Sequence, residues 1–118
     1  MNETLENKLE SKRAQMRRGV LELCVLSIIS ISEAYPSDII GKLKESKLIV
    51  VEGTLYPLLN RLKNEGLLHY NWKESNAGPP RKYYYMTDEG KTFYNGLNES
   101  WKQLQAAVKL TINQSPES

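Results

Sequence analysis

The hydrophobic pattern along the chain divides it into segments of different period. Val20 to Ile31 is apolar on more than one side, broken only by Glu22, Ser27 and Ser30. With the good helix formers Ala14, Gln15, Met16 and Arg17 before it, this predicts a core-facing helix from Arg13 onward. Residues 1–12, polar apart from Leu5 and Leu9, either fray or extend that helix. Gly19 inside the helix implies close backbone packing or a bend. After a connector at 32–35, Pro36 with Ser37 and Asp38 behind it opens a second helix. Its buried side is Ile39, Ile40, Leu43 and Leu48, and its wet side is Lys42, Lys44 and Lys47. Leu48 to Val51 is a short β-branched run that reads as an extended strand stub.

Leu55, Leu58, Leu59 and Leu62 then fall at i, i+3, i+4 and i+7, one face of a third amphipathic helix stopped by Gly66. Pro57 has no N–H to give an interior turn, so the start lies between Glu52 and Thr54, with Thr54 a candidate N-cap. The opposite face carries Tyr56, Pro57, Asn60 and Asn64, flanked by Arg61 and Lys63, with acid only at Glu65. Side chains of these types donate to base edges and phosphates.

Beyond Gly66 the period drops to two. Leu68, Tyr70 and Trp72 alternate with His69, Asn71 and Lys73, and a second strand follows at 82–86. The turn residues of 74–80 join them as a hairpin with a long tip, and Arg81 and Lys82 sit at its base. Thr87 caps a last helix, with Asp88 and Glu89 where the helix dipole favours negative charge. Gly90 stands at the N3 position where a capping box would have Glu. Phe93, Leu97, Trp101, Leu104 and Val108 form a stripe close to a heptad seam, for which so small a core has no use of its own. Self-association is the simplest use of it.

The order helix, helix, helix, basic hairpin is that of a winged helix-turn-helix. The expected fold is mainly α with a small β-hairpin. A winged helix-turn-helix unit with its N-terminal helix spans 1–86, a C-terminal dimerisation helix 87–113 and a disordered tail 114–118.

Composition narrows the function. At 118 residues the chain is one domain's worth. Its net charge of +2 is unevenly spread: Ile40 to Lys82 holds eight Lys/Arg against four Asp/Glu, a net of +4, leaving −2 elsewhere. Positive charge gathered in the middle third suits a nucleic-acid face. The single cysteine, Cys24, reads as a buried small hydrophobe, and no Cys/His set has metal-ligand spacing. No cofactor is implied. The only histidine, His69, lies on a predicted strand with no nucleophile or carboxylate pair at catalytic spacing, so an enzyme is the least supported reading. Gly78-Pro79-Pro80 has too few glycines to cradle a phosphate. With no apolar run long enough for a bilayer and no signal-peptide core, a cytoplasmic protein is expected.

Three separated segments carry a resemblance. Gly53-Thr54-Leu55-Tyr56-Pro57-Leu58-Leu59-Asn60-Arg61-Leu62-Lys63-Asn64-Glu65-Gly66-Leu67, with Arg18-Gly19-Val20-Leu21-Glu22 upstream and Gly78-Pro79-Pro80-Arg81-Lys82-Tyr83-Tyr84 then Met86-Thr87-Asp88-Glu89-Gly90 downstream, resembles the PadR family of bacterial transcriptional regulators. The likeness covers about residues 13–112. It implies a homodimeric repressor of a double-stranded operator and a recognition helix starting a turn earlier than Pro57 alone would suggest. Thr54, Tyr56, Asn60, Arg61, Lys63, Asn64, Arg81 and Lys82 would meet DNA. Phe93, Leu97, Trp101, Leu104 and Val108 would meet the partner, against the N-terminal helix around Ala14 to Val20. Glu99-Ser100-Trp101 resembles the segment from which some short-helix members stack a tryptophan on a flat aromatic effector, and Met16 is placed to face it. The chain departs from the family pattern at Tyr35-Pro36-Ser37-Asp38, where Tyr/His-Gly-Tyr-Glu is usual, and at Tyr85, where a basic residue is common. The alternative function is a winged-helix adaptor that binds proteins and has no use for a basic wing.

Overall fold

The computed structural model describes residues 3–76 and 78–113; the expected tail at 114–118 lies outside the described residues. The order is α1 (Glu3–Ile31), α2 (Pro36–Glu45), α3 (Glu52–Asn64), β1 (Leu68–Ser75), β2 (Gly78–Met86) and α4 (Asp88–Ile112). This is the mainly helical winged helix-turn-helix arrangement, with one antiparallel two-stranded sheet. No helix among the described residues is long and apolar enough to cross a membrane.

One core holds it together. Val25, Leu26 and Ile29 of α1, Ile39 and Leu43 of α2, Leu55, Leu59 and Leu62 of α3, and Leu68, Tyr84 and Met86 of the hairpin are all buried, with Ala34 between. Each fully buried leucine contributes about 1.5–3 kcal/mol over leaving it in water. Three of the four leucines of the predicted α3 face are fully buried, and Leu58 is partly so.

Both turns that leave α2 and α3 use the same closure. Leu67 N–H reaches back to the Leu62 carbonyl and Gly66 N–H to Lys63, with Gly66 at φ +80. Leu48 likewise reaches Leu43, and Lys47 reaches Lys44, with Lys47 at φ 70. The left-handed residue is free of steric cost for glycine and not for lysine.

Several expectations are corrected. Leu48 to Val51 is no strand: Leu48 and Val50 turn in and Ile49 and Val51 out, as in an extended segment, but no edge among the described residues pairs with them. α3 begins at Glu52 with Val51 as N-cap, so Thr54 lies inside the first turn and caps nothing. Pro57 is tolerated inside the helix. The hairpin's tip is short, because Ser75 pairs with Gly78 and only two residues remain between the strands. Ala34 is more than a connector, since it exchanges two backbone hydrogen bonds with Tyr84, at 3.0 and 2.8 Å. A Cβ at Gly19 would meet nothing within 4 Å among the described residues, and Cys24 is only partly buried, enough to push its thiol pKa up.

Gly90 has a definite reason. A Cβ there would stand 2.0 Å from the Leu67 carbonyl oxygen and 2.8 Å from Met86. α4 thus starts in contact with the chain leaving α3, and a Glu completing the capping box has no room. Thr87 makes the joint: its Oγ accepts from Gly90 N–H at 3.0 Å and donates to the Gly66 carbonyl at 2.7 Å.

Candidate nucleic-acid interface

The buried leucines of α3 decide what the helix shows. With Leu55, Leu59 and Leu62 inward, Gly53, Pro57, Asn60 and Asn64, spaced four, three and four apart, form the outward crest, and all four are exposed. Asn60 and Asn64 make no side-chain hydrogen bond among the described residues, so their amides are free to donate and accept. Pro57 has no N–H and leaves the Gly53 carbonyl without its helical donor on this same crest.

The flanks of α3 are engaged by the rest of the chain. Arg61, expected to reach a phosphate, is held by Glu65 at 2.9 Å and by Glu22 of α1 at 3.5 Å. Glu22, with Glu65 second, raises its pKa further above the ordinary guanidinium value. Its placement is that of a strut between α3 and α1. Thr54, on the same flank, lines a depression with Arg17, Arg18 and Leu21 of α1 and with Ile49 and Val51. On the other flank Lys63 lies 5.5 Å over the Tyr70 ring, and Tyr56, about half exposed, faces the hairpin.

The hairpin register places the wing cations. Leu68, Tyr70 and Trp72 stand opposite Met86, Tyr84 and Lys82, while His69, Asn71 and Lys73 stand opposite Tyr85, Tyr83 and Arg81. Arg81 and Lys82 therefore project to different faces. Lys82 lies 4.5 Å over Tyr70 and 5.3 Å over Trp72, and Arg81 lies 4.5 Å over Tyr35. Lys73 is ion-paired with Glu33 and lies over Tyr83. Between wing and helices runs a groove of about 370 Å³ lined by Tyr35, Pro36, Tyr56, Trp72, Arg81 and Lys82, among others. Trp72 is the residue that sequence reasoning missed as a site candidate. The period-two pattern that put it on the face of Lys82 was the available signal.

The remaining predicted residues lie elsewhere. Met16 and Trp101 meet in the walls of an apolar groove of about 560 Å³, with Val20, Leu104 and Val108 beside them. Both walls, α1 and α4, belong to the same chain. Phe93 stands apart, near the start of α4 by Leu67 and Glu89. Leu97 and Tyr94 pack partly on the chain's own core, and Tyr94 donates to Ser27 at 3.2 Å. Among the described residues no His, Cys, Asp and Glu cluster could hold a metal.

A helix with a free amide crest beside a basic, aromatic wing defines the class, a winged helix-turn-helix built to face nucleic acid. Residues 25–95 match the model of the transcriptional regulator PadR-like family. A PadR-like transcription factor from Bacteroides fragilis is 54% identical and overlays with a TM-score of 0.72, over 86% of this chain and 98% of that one. A PadR family regulator from Eggerthella lenta is 30% identical, with a TM-score of 0.88 over 97% and 100%. A PadR-like regulator from Bacillus cereus is 38% identical, with a TM-score of 0.77 over 86% and 99%. The chain belongs to the PadR-like family of transcriptional regulators, and that membership supports a DNA-binding regulator.

Proposed function

We propose that this protein is a dimeric repressor that reads a double-stranded operator with the crest of α3 and is released by a flat aromatic or hydrophobic effector. The observation that carries the DNA reading is the crest itself, where Asn60 and Asn64 are exposed and unpaired among the described residues. Asparagine matches the N6/N7 edge of adenine in the major groove. Lys82 and Arg81 supply phosphate contacts from the wing. An adaptor would need neither feature.

What α1 and α4 leave uncovered supports dimerisation. Met16 is 66% exposed, Leu104 57% and Val108 44%, on a groove nearly free of polar lining. A second copy covering this face brings two recognition helices to about 34 Å, one turn of duplex apart. The same groove, walled by Trp101 and Met16, takes the effector, which favours a protomer spacing that no longer fits the half-sites.

Substituting Asn60→Ala tests the reading. It removes a bidentate base contact, costing about 1–3 kcal/mol of discrimination between operator and random duplex, with the dimer retained. An unchanged specificity ratio in competition binding assays moves base reading away from the crest.

A further inference from the structure

Phosphate binding does not account for the largest side chain on the wing. Trp72 is 61% exposed, on a groove that Pro36 of α2 and Tyr56 of α3 also line. It is nevertheless well positioned: its ring stands edge-on to Tyr70 at 6.0 Å, and the Lys82 ammonium, across the ladder, lies over both rings. Each group limits the freedom of the others, so a flat apolar plate is presented with a cation at its rim. The plate lines the groove that also holds Arg81 and, from α3, Tyr56 and Glu52, neighbours in sequence of the crest residues Pro57 and Gly53.

A sugar-phosphate backbone matches this pairing of surfaces. The deoxyribose ring offers an apolar face next to an anionic phosphate, at the spacing of neighbouring groups on one strand. A peptide partner has no need of the ammonium fixed over the indole. We propose that Trp72 contacts DNA directly, its indole packing on the deoxyribose rings that flank the half-site while Lys82 takes the adjoining phosphate. The wing then contributes a non-ionic contact as well as an ionic one. This deepens the DNA-binding reading above and rests on it.

The two contributions separate under salt. Neutralising a phosphate releases counterions and steepens the fall of log affinity with log salt by about one unit per contact, whereas packing on a sugar leaves the slope alone. The probe is the duplex that the wild-type protein enriches from a random pool. Trp72→Ala is expected to lose about tenfold in affinity for it with the slope unchanged, Trp72→Phe to keep most of the affinity, and Lys82→Ala to lower the slope by about one. Thermal midpoint and dimer content are read alongside. Wild-type affinity in Trp72→Ala overturns the contact, with DNA binding itself left standing. A slope lowered in Trp72→Ala as much as in Lys82→Ala also overturns it, since the indole then only props the lysine. If the wild-type protein enriches no sequence at all, the DNA reading fails, and the contact with it.

Discussion

The two ends of α1 live in different surroundings, and so do the two ends of α4. From Val25 to Ile29 α1 is inside the core, whereas from Glu3 to Gly19 only Leu9 and Ala14 are even partly covered. α4 buries Gly90 and half-buries Tyr94 and Leu97 near its start, whereas from Lys102 to Ile112 every residue is exposed. The packed half could fold on the hydrophobic contacts it already has. The arms are stabilised as helices by local means, such as the ion pairs Glu10 makes with Arg17 at 2.7 Å and Arg13 at 3.6 Å, which contribute little at the surface. Their apolar residues, Met16, Leu104, Val108, Leu110 and Ile112, remain exposed within one chain. The contrast separates the residues that hold the fold from those of the proposed dimer face, so that the two can be broken separately.

The largest effect is expected from Leu104→Glu. Leu104 is exposed in the single chain, so a carboxylate there costs the monomer little, but it sits in the middle of the face proposed for the partner. Sedimentation should give a folded monomer, and operator affinity should fall by about 100-fold or more, because two linked half-site contacts become one. Leu97, a residue of the same stripe, is a poorer test, since it also packs on its own core and its loss confounds unfolding with dissociation. A Leu104→Glu dimer that still binds the full operator would place assembly on another surface.

The converse break is in the packed half. Gly90→Ala forces a methyl against the Leu67 carbonyl, a backbone atom that cannot rotate away. Overpacking of this kind costs about 1–3 kcal/mol, and α4 must shift off the hairpin to relieve it. The midpoint of denaturant unfolding should fall accordingly. An unchanged midpoint would mean that the joint between α3 and α4 is looser than its hydrogen bonds imply.

Much of this was legible before the structure because it is local. Pro36 at a first turn, Gly66 as a stop, Thr87 as a cap and the leucine face of α3 each declare themselves within a few residues. What the sequence did not show is non-local. The ion pair that Arg61 makes with Glu22 joins residues 39 apart in sequence, beyond the reach of any local pattern. The Ala34 bridge to Tyr84 has no pattern of its own to announce it. Leu48 to Val51 had the residues of a strand without a neighbouring edge, and pairing is a property of the fold. Arg81 and Lys82 were both expected at phosphates from the base of the tip, and strand alternation turns the two neighbours to opposite faces. Gly90 was noticed as an imperfect cap, yet the carbonyl that requires it belongs to the residue after α3's stop.

The smallest effect is a gain. Lys47, in the turn between α2 and α3, holds φ 70, a region that costs a residue with a side chain about 1–2 kcal/mol. Its backbone closes the turn through Lys44, while its side chain is exposed and forms no ion pair among the described residues. Gly66 fills the same place after α3 without that cost. Lys47→Gly removes the strain but gives the unfolded chain more freedom, which offsets about 0.4–1 kcal/mol. The net is a stabilisation of about 0–1.6 kcal/mol, or up to about 6 °C in Tm. Because the turn lies in the packed half, the rise should be the same at every protein concentration. Leu104→Glu, by contrast, should abolish the concentration dependence of Tm that a dimer shows. The substitution also removes one positive charge beside α3. If Lys47 meets a phosphate, the salt slope of operator binding falls by about one while Tm rises, and the strain is retained for binding. An unchanged slope makes Lys47 a plain cost to the fold, and a Tm that falls refutes the strain.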